Sequence, residues 1–281
     1  MKVRVVLSLF ALVTSVLADE YGNAMKEWCS GLSVLYPDAT TIISAGDATN
    51  VTVSRKPNDH RKTITGLDLY SVSRQGKAQY IQNIWSGSYR LKSKASISDT
   101  IPKSAKPGLY FYRVWVTNEI NGMHGPDCLE TSHTFKLISG AHMNAEGLMY
   151  YTETLDDIKL YHPDHFKGCF GIDIEFPQEG SIHKQGNHIF VSLDRDRASQ
   201  TDALLKIDLY KSIAGQGPEH VATVWKGNEV IVDKFSLMDH LHLPHGKLDP
   251  SASYYYSFQL TSKKIKDETC TFHSKAFKIE N

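Results

Sequence analysis

The 281-residue chain reads as an all-β protein of two tandem β-sandwiches, each closed by one disulfide of its own. Three observations predict this fold class: a duplication at a nearly constant offset, four cysteines that fall two per copy, and short alternating runs separated by turn formers. In the duplication, Cys29-Ser30-Gly31-Leu32-Ser33-Val34-Leu35-Tyr36-Pro37 returns 140 positions later as Cys169-Phe170-Gly171-Ile172-Asp173-Ile174-Glu175-Phe176-Pro177. The same offset carries Leu67-Asp68-Leu69-Tyr70 onto Ile207-Asp208-Leu209-Tyr210, and Ile84-Trp85 onto Val224-Trp225. Phe135-Lys136-Leu137 and Phe277-Lys278-Ile279 each begin seven residues after a cysteine, Cys128 and Cys270. The offset grows only to 142 there, and landmarks in one order at nearly one spacing mark a tandem repeat of a single unit.

From the N-terminus, Lys2 and Arg4 precede an apolar run from Val5 to Val16, and Val16-Leu17-Ala18 follows with small residues at its ends. This is the pattern of a cleaved secretory signal over residues 1–18, and the run is short for a permanent bilayer span. The expected mature chain starts at Asp19, has no membrane span, and resides outside the cell, in a cell wall or in the endoplasmic reticulum lumen. The C-terminus has neither a hydrophobic tail for a lipid anchor nor a K-D-E-L-type signal. In that oxidising compartment the cysteines should pair within copies, Cys29 with Cys128 and Cys169 with Cys270. Of the three connectivities, this one treats both copies alike without linking them. Each bridge would close a loop of about 100 residues and stabilise by roughly 4–5 kcal/mol in the chain-entropy model. A metal site is the rival reading, but there is no C-x-x-C pair.

The first copy, residues 19–138, shows seven β-rich runs: Leu32 to Tyr36, Asn50 to Val53, Ile64 to Val72, Tyr80 to Trp85, Tyr89 to Ile97, Leu109 to Val116 and Thr134 to Ile138. The second copy, residues 169–281, repeats the series: Ile172 to Phe176, His188 to Leu193, Leu204 to Tyr210, His220 to Trp225, Val230 to Phe235, Tyr254 to Leu260 and Thr271 to Ile279. Seven short strands in roughly 100 residues is the arithmetic of an immunoglobulin-like or fibronectin-III-like sandwich. The cysteines precede the first and last strands, so a first strand lying parallel to the last would bring each pair together. Between the copies, residues 139–168 break the rhythm. Thr154 with Asp157 three residues on predicts a short helix over 154–160, and Leu148, Met149, Tyr150, Tyr151, Leu160 and Phe166 make a semi-rigid linker, too apolar for a free tether.

Thirty-one basic residues balance 31 acidic ones, so no net field attracts a polyanion, and nucleic acid is not expected as a partner. Mean hydropathy is -0.32. There is no G-x-S-x-G, G-x-G-x-x-G, Walker loop or H-E-x-x-H, and no residue set implies a cofactor. No residue is assigned a catalytic role. The carboxylates Asp156, Asp157, Asp194, Asp196 and Glu175 show no spacing that singles out an acid and a nucleophile. The densest histidine group is His240, His242 and His245; His240 and His242 share a face of an extended segment, as a Zn²⁺ or Cu²⁺ site would need, against the plainer reading of a surface loop. Among aromatics, alternation places Tyr110 and Tyr112 on one face of their strand and Phe111 and Trp115 on the other. The outward set would make a platform for stacking sugar rings; the candidates are Tyr110, Tyr112 and their counterparts Tyr254 and Tyr256, against ordinary core packing. Trp85 and Trp225, each followed by x-Gly, occupy equivalent places, which favours a shared structural role. Asn50-Val51-Thr52 is the N-x-[ST] sequon, making Asn50 a glycan acceptor candidate.

Each copy resembles the immunoglobulin-like domain of fungal cell-wall synthesis proteins tied to β-1,6-glucan assembly, also found in Ser/Thr-rich surface proteins. The resembling features are Phe176-Pro177 followed by Gly180, Ile207-Asp208-Leu209-Tyr210, a proline before a Tyr-rich strand (Pro107 before Tyr110-Phe111-Tyr112, Pro250 before Tyr254-Tyr255-Tyr256), and the closing Ser274-Lys275-Ala276-Phe277-Lys278-Ile279. The chain departs from that family in its cysteine pair per copy and its lack of a Ser/Thr-rich stalk. The resemblance implies a non-enzymatic secreted protein that supports wall assembly by holding β-glucan or a wall glycoprotein. A tandem protein-binding module, adhesin or effector, is the alternative, and a metal-dependent enzyme built on the histidine group ranks last.

Overall fold

The computed structural model describes residues 24, 25, 27–140, 142–243, 247–264 and 268–280; the expected signal peptide and Asp19 lie outside the described residues. The chain divides into two compact units, Met1–Ser71 with Tyr80–Glu153, and Val72–Gln79 with Thr154–Asn281.

The first unit contains β1 (Leu32–Tyr36), β2 (Ile42–Ser44), β3 (Ala48–Arg55), β4 (Arg61–Val72), β5 (Ala78–Leu91) and β6 (Lys94–Thr100). It continues with β7 (Gly108–Ile120), β8 (Met123–His124), β9 (Cys128–Thr131), β10 (Phe135–Ile138) and the small ladder of β11 (His142–Met143) and β12 (Met149–Tyr150). One sheet runs β1-β3-β6 and the other β2-β10-β7-β4-β5, with β8 and β9 also pairing β7. Their inner faces share one core, including Val51 and Val53 of β3, Leu67 and Leu69 of β4, and Tyr112 and Val114 of β7.

The second unit opens with α1 (Pro163–Phe166), then β13 (Ile172–Phe176), β14 (Ile182–Lys184), β15 (His188–Arg195), β16 (Thr201–Ser212) and β17 (Glu219–Val230). It ends with β18 (Lys234–His240), β19 (Ser253–Ser262), β20 (Thr269–His273) and β21 (Lys278–Glu280). Its sheets are β13-β15-β18, β17-β16-β19-β20 and the pair β14-β21, with a bridge from Tyr254 to Phe277 joining β19 to the approach of β21. The duplication therefore persists in pairing detail. β1 and β13 each shift register one residue before the aromatic-proline step, between Val34 and Tyr36 and between Ile174 and Phe176.

The disulfides are Cys29–Cys128 and Cys169–Cys270, as the offset predicts. The geometry that joins them differs from expectation. The first strand does not lie beside the last: β1 pairs antiparallel with β3, and after the cis Tyr36-Pro37 peptide the chain joins the opposite sheet, where the short β2 runs parallel to β10. β14 and β21 repeat this after Phe176-Pro177. Each bridge thus ties the approach to a strand of one sheet to a strand of the other, β9 or β20.

Four further expectations need correction. Residues 154–160 form turns rather than a helix; α1 comes later, where Pro163 occupies the first turn and the His162 ring accepts a hydrogen bond from the Asp164 N–H. The run Tyr89 to Ile97 is split at 92–93 into the ends of β5 and β6, Val230 to Phe235 is split at 231–233 between β17 and β18, and Thr271 to Ile279 is split into β20 and β21. The duplicated Trp-x-Gly has a packing cause: a Cβ on Gly87 would meet Trp85 Cζ2 at 2.7 Å, and one on Gly227 would meet Trp225 Cζ2 at 2.6 Å. The indole folds back over the strand where only glycine leaves room.

Candidate functional site

The tyrosines expected to form a platform lie in the core. Tyr112, Tyr254 and Tyr256 are fully buried and Tyr110 nearly so. The Tyr112 hydroxyl donates to Asp99 Oδ2 at 2.6 Å and that of Tyr256 to Asp239 Oδ2 at 2.7 Å. Tyr112 stacks on Phe135 and Tyr256 on Phe277. Burial raises both phenols far above their ordinary titration range, and the neighbouring aspartates push the same way. These side chains anchor the inner face and offer no ring to a ligand.

The opposite face of the same strands carries a row of rings. In the second unit His220, Tyr210, Tyr255 and His273 follow one another across β17, β16, β19 and β20. Adjacent centroids lie 5.4, 5.6 and 5.2 Å apart, with Tyr210 and Tyr255 stacked and the histidines edge-on at each end. The tyrosines are half-buried and both histidines exposed. Burial raises the Tyr255 hydroxyl and lowers His273 from their usual values, so both are neutral near pH 7. Beneath the row lies Asp208, held by Lys206 at 2.7 Å, Thr223 at 2.7 Å and His220 at 3.1 Å. Burial alone would raise this carboxyl, but those three partners outweigh it and keep it below the ordinary range.

The duplicated Ile/Leu-Asp-Leu-Tyr motif explains the arrangement. Its two aliphatic residues enter the core, while Asp and Tyr point outward, the acid supporting the ring row. In the first unit Tyr80, Tyr70 and Phe111 form the matching row, with centroids 5.6 and 5.4 Å apart, and Asp68 accepts from Trp115 Nε1 at 2.6 Å. Arg113 lies over the Trp115 ring, 4.5 Å from its centroid, and Phe111 is closed to solvent. The second unit's row is therefore the more open one. An acid set between two core aliphatics, in Leu67-Asp68-Leu69 and Ile207-Asp208-Leu209, was the sequence signal for this outward face.

A second surface lies on the β13-β15-β18 sheet. Phe190 and Met238 are cross-strand partners, Phe176 meets Phe190 edge-on at 5.5 Å, and all three are solvent-exposed. The sequon residue Asn50 occupies the first unit's place for Phe190, 140 positions earlier, and Ser98 that for Met238. Asn50 is exposed on β3, its Oδ1 accepting from Ser98 Oγ at 2.9 Å. At the end of this sheet His188 faces His240 across the ladder, centroids 4.7 Å apart, and the exposed His242 ring lies 6.2 Å from that of His240. His245 lies outside the described residues. Among the described residues no three histidine, cysteine, aspartate or glutamate side chains converge on a metal position.

The second unit also holds a cleft of about 330 Å³ lined by Gln75, Gly76, His162, His165, Thr271 and Phe272 beside the Cys169–Cys270 bridge. Gly76 turns at φ +71° against the His165 ring, where a Cβ would meet Nε2 at 2.8 Å. Burial takes His165 down to about 4, so its ring is neutral at ordinary pH.

Strand order and pairing define the class: an all-β protein of immunoglobulin-like, fibronectin-III-like sandwich architecture with two disulfides. No helix among the described residues is long and apolar enough to cross a membrane. No family model matches the chain, and no curated protein does. Among solved structures it is similar to the fibronectin(III)-like modules of Clostridium thermocellum CbhA, at 8% identity and a TM-score of 0.23 over 88% of this chain and 92% of that one. It is also similar to a chain from a structure of T-cell specificity and activation by the bacterial superantigen toxic shock syndrome toxin-1, at 9% identity and a TM-score of 0.26 over 39% of this chain and 98% of that one. At these scores the fold assignment rests on the strand pairing above.

Proposed function

We propose that the protein is a non-enzymatic binding module of the secretory pathway or cell exterior that holds a wall polysaccharide of the β-glucan type, or a glycoprotein bearing one. The observation that carries this reading is the ring row His220–Tyr210–Tyr255–His273, its histidines exposed and its tyrosines half-buried, echoed in the first unit. Aromatic rings flanked by hydrogen-bonding groups suit neutral sugars, whose C–H faces pack on rings while their hydroxyls bond at the rim. Two similar faces on one chain raise the effective concentration for a repeating polymer, so individually weak contacts suffice. Two disulfides fit an oxidising compartment, and the resemblance to fungal wall-assembly proteins supplies the ligand class. The test is retention of the mature protein on insoluble β-1,6- and β-1,3-glucan. Tyr210→Ala with Tyr255→Ala should cut retention at least tenfold, and retention no better than that of denatured protein would overturn the reading. Fractionation of medium, wall and microsomes tests the compartment.

A second reading is favoured by the exposed Phe176, Phe190 and Met238, which suit a protein partner better than a sugar. Proximity labelling should then recover one stoichiometric protein that is lost with Phe190→Ser and Met238→Ser.

A further inference from the structure

We propose that the Cys29–Cys128 bridge is a thiol–disulfide exchange site, opened by a dithiol reductant that attacks Cys29 and expels Cys128 as a thiolate, whereas Cys169–Cys270 is structural. The argument starts from Lys62, whose side chain is wholly buried in the first unit. Its ammonium donates to the backbone carbonyl of Trp28, the residue before Cys29, and to Asn118 Oδ1 at 2.7 Å. An ammonium can only donate, so the Asn118 carbonyl must face it. That fixes the amide orientation and aims Nδ2 at the far side, where it donates to Cys128 Sγ at 2.9 Å and to the Pro126 carbonyl at 2.7 Å. The positive charge is thus relayed through one polarised amide to one sulfur of the bridge.

The two sulfurs differ in access as well. Cys128 is fully buried, while Cys29 is only partly so. An incoming thiolate therefore reaches Cys29. It forms a new S–S bond to Cys29 Sγ while the Cys29–Cys128 bond breaks, and the bonding pair leaves on Cys128, where Asn118 and Lys62 stabilise it. The second thiol of the reductant, once deprotonated, displaces Cys29 as thiolate. The reductant closes to its own disulfide and two cysteines are released, a balanced two-electron exchange. Exchange speeds up as the leaving thiol becomes more acidic, and a cation or N–H donor at the sulfur makes it so.

The second unit lacks these parts at the matching positions. Asp202 stands 140 residues after Lys62. Val116 pairs with Cys128 and Leu260 with Cys270, so the counterpart of Asn118 is Ser262, whose hydroxyl donates to the Lys167 carbonyl at 2.7 Å. Cys169 and Cys270 are both buried, although both line the cleft described above, so the contrast between the bridges rests on the Lys62–Asn118 relay, which only the first has.

The test is graded dithiothreitol at pH 7.5 on the native protein, quenched by alkylation and read by peptide mass. Cys29 and Cys128 should be labelled at least tenfold faster than Cys169 and Cys270. Trapping with glutathione alone should place the mixed disulfide on Cys29. Equal rates, the reverse order, or an adduct on Cys128 would overturn the proposal. Asn118→Leu should slow opening of the first bridge at least threefold, and an unchanged or raised rate would overturn the relay. Should that variant not fold, the order of opening and the adduct position in the native protein decide alone.

Discussion

Replacing Tyr256 by phenylalanine removes one oxygen from the centre of the second unit and little else. The ring is fully buried and stacked 5.4 Å from Phe277, so packing survives the change. What is lost is the 2.7 Å bond to Asp239 Oδ2. A hydrogen bond to a charged group contributes about 1.5–3 kcal/mol net, and the half-buried carboxylate left behind has little water to replace it. Tyr256→Phe should therefore destabilise the unit by about 2 kcal/mol, a drop of roughly 1 M in urea midpoint at a typical slope. Burial raises the Asp239 pKa, and the Tyr256 bond offsets part of that rise. The bond's contribution exists while Asp239 is ionised, so the loss should be full at pH 7 and shrink as the carboxyl protonates on acidification. Urea melts followed by far-ultraviolet circular dichroism at pH 7 and pH 4 measure both effects. An Asp239→Asn cycle should give a coupling above about 1 kcal/mol. A loss under about 0.5 kcal/mol, or one unchanged between the two pH values, would refute this account of the buried tyrosines.

Gly227→Ala should cost about 1–3 kcal/mol by driving the Trp225 ring from its seat, with a shift in the Trp225 signal as the local readout. Serine at both Cys169 and Cys270 should lower stability by roughly 4–5 kcal/mol, since the cysteines are separated by 101 residues; calorimetry shows it as a lost or lowered transition. Burial, reinforced by the Arg55 charge, brings Lys62 down to about 8 from 10.5. The unfolded chain then holds more protons than the folded one between those values, so this group makes stability rise with pH across that window, by up to roughly 3 kcal/mol. Lys62→Met should flatten the rise in pH-dependent urea melts. Secreted protein should carry a glycan on Asn50, removed by endoglycosidase and absent in Asn50→Gln; an unshifted mass would sink that expectation.

Both bridges, the all-β class and most strands were legible because they follow from local rules and repetition. A fixed offset reveals a copied unit, and equivalent cysteines pair because the copies fold alike. Alternation along Tyr110-Phe111-Tyr112 sorted side chains into two faces, but both faces are aromatic, so period alone could not say which meets the other sheet. The second sheet decides that, and it buries Tyr110 and Tyr112. The ring row is equally non-local. His220, Tyr210, Tyr255 and His273 come from four strands and meet only because strand order and register place them side by side. The histidines show the same limit: nearness along the chain suggested His240 with His242 and His245, while among the described histidines the cross-strand His188 lies nearer to His240 than His242 does. By itself the sequence determined the repeat, its covalent closure and its strand content, since these depend on neighbours along the chain. Only tertiary structure decided which face is core and which rings stand together, since burial and adjacency across a sheet depend on residues far apart in the chain.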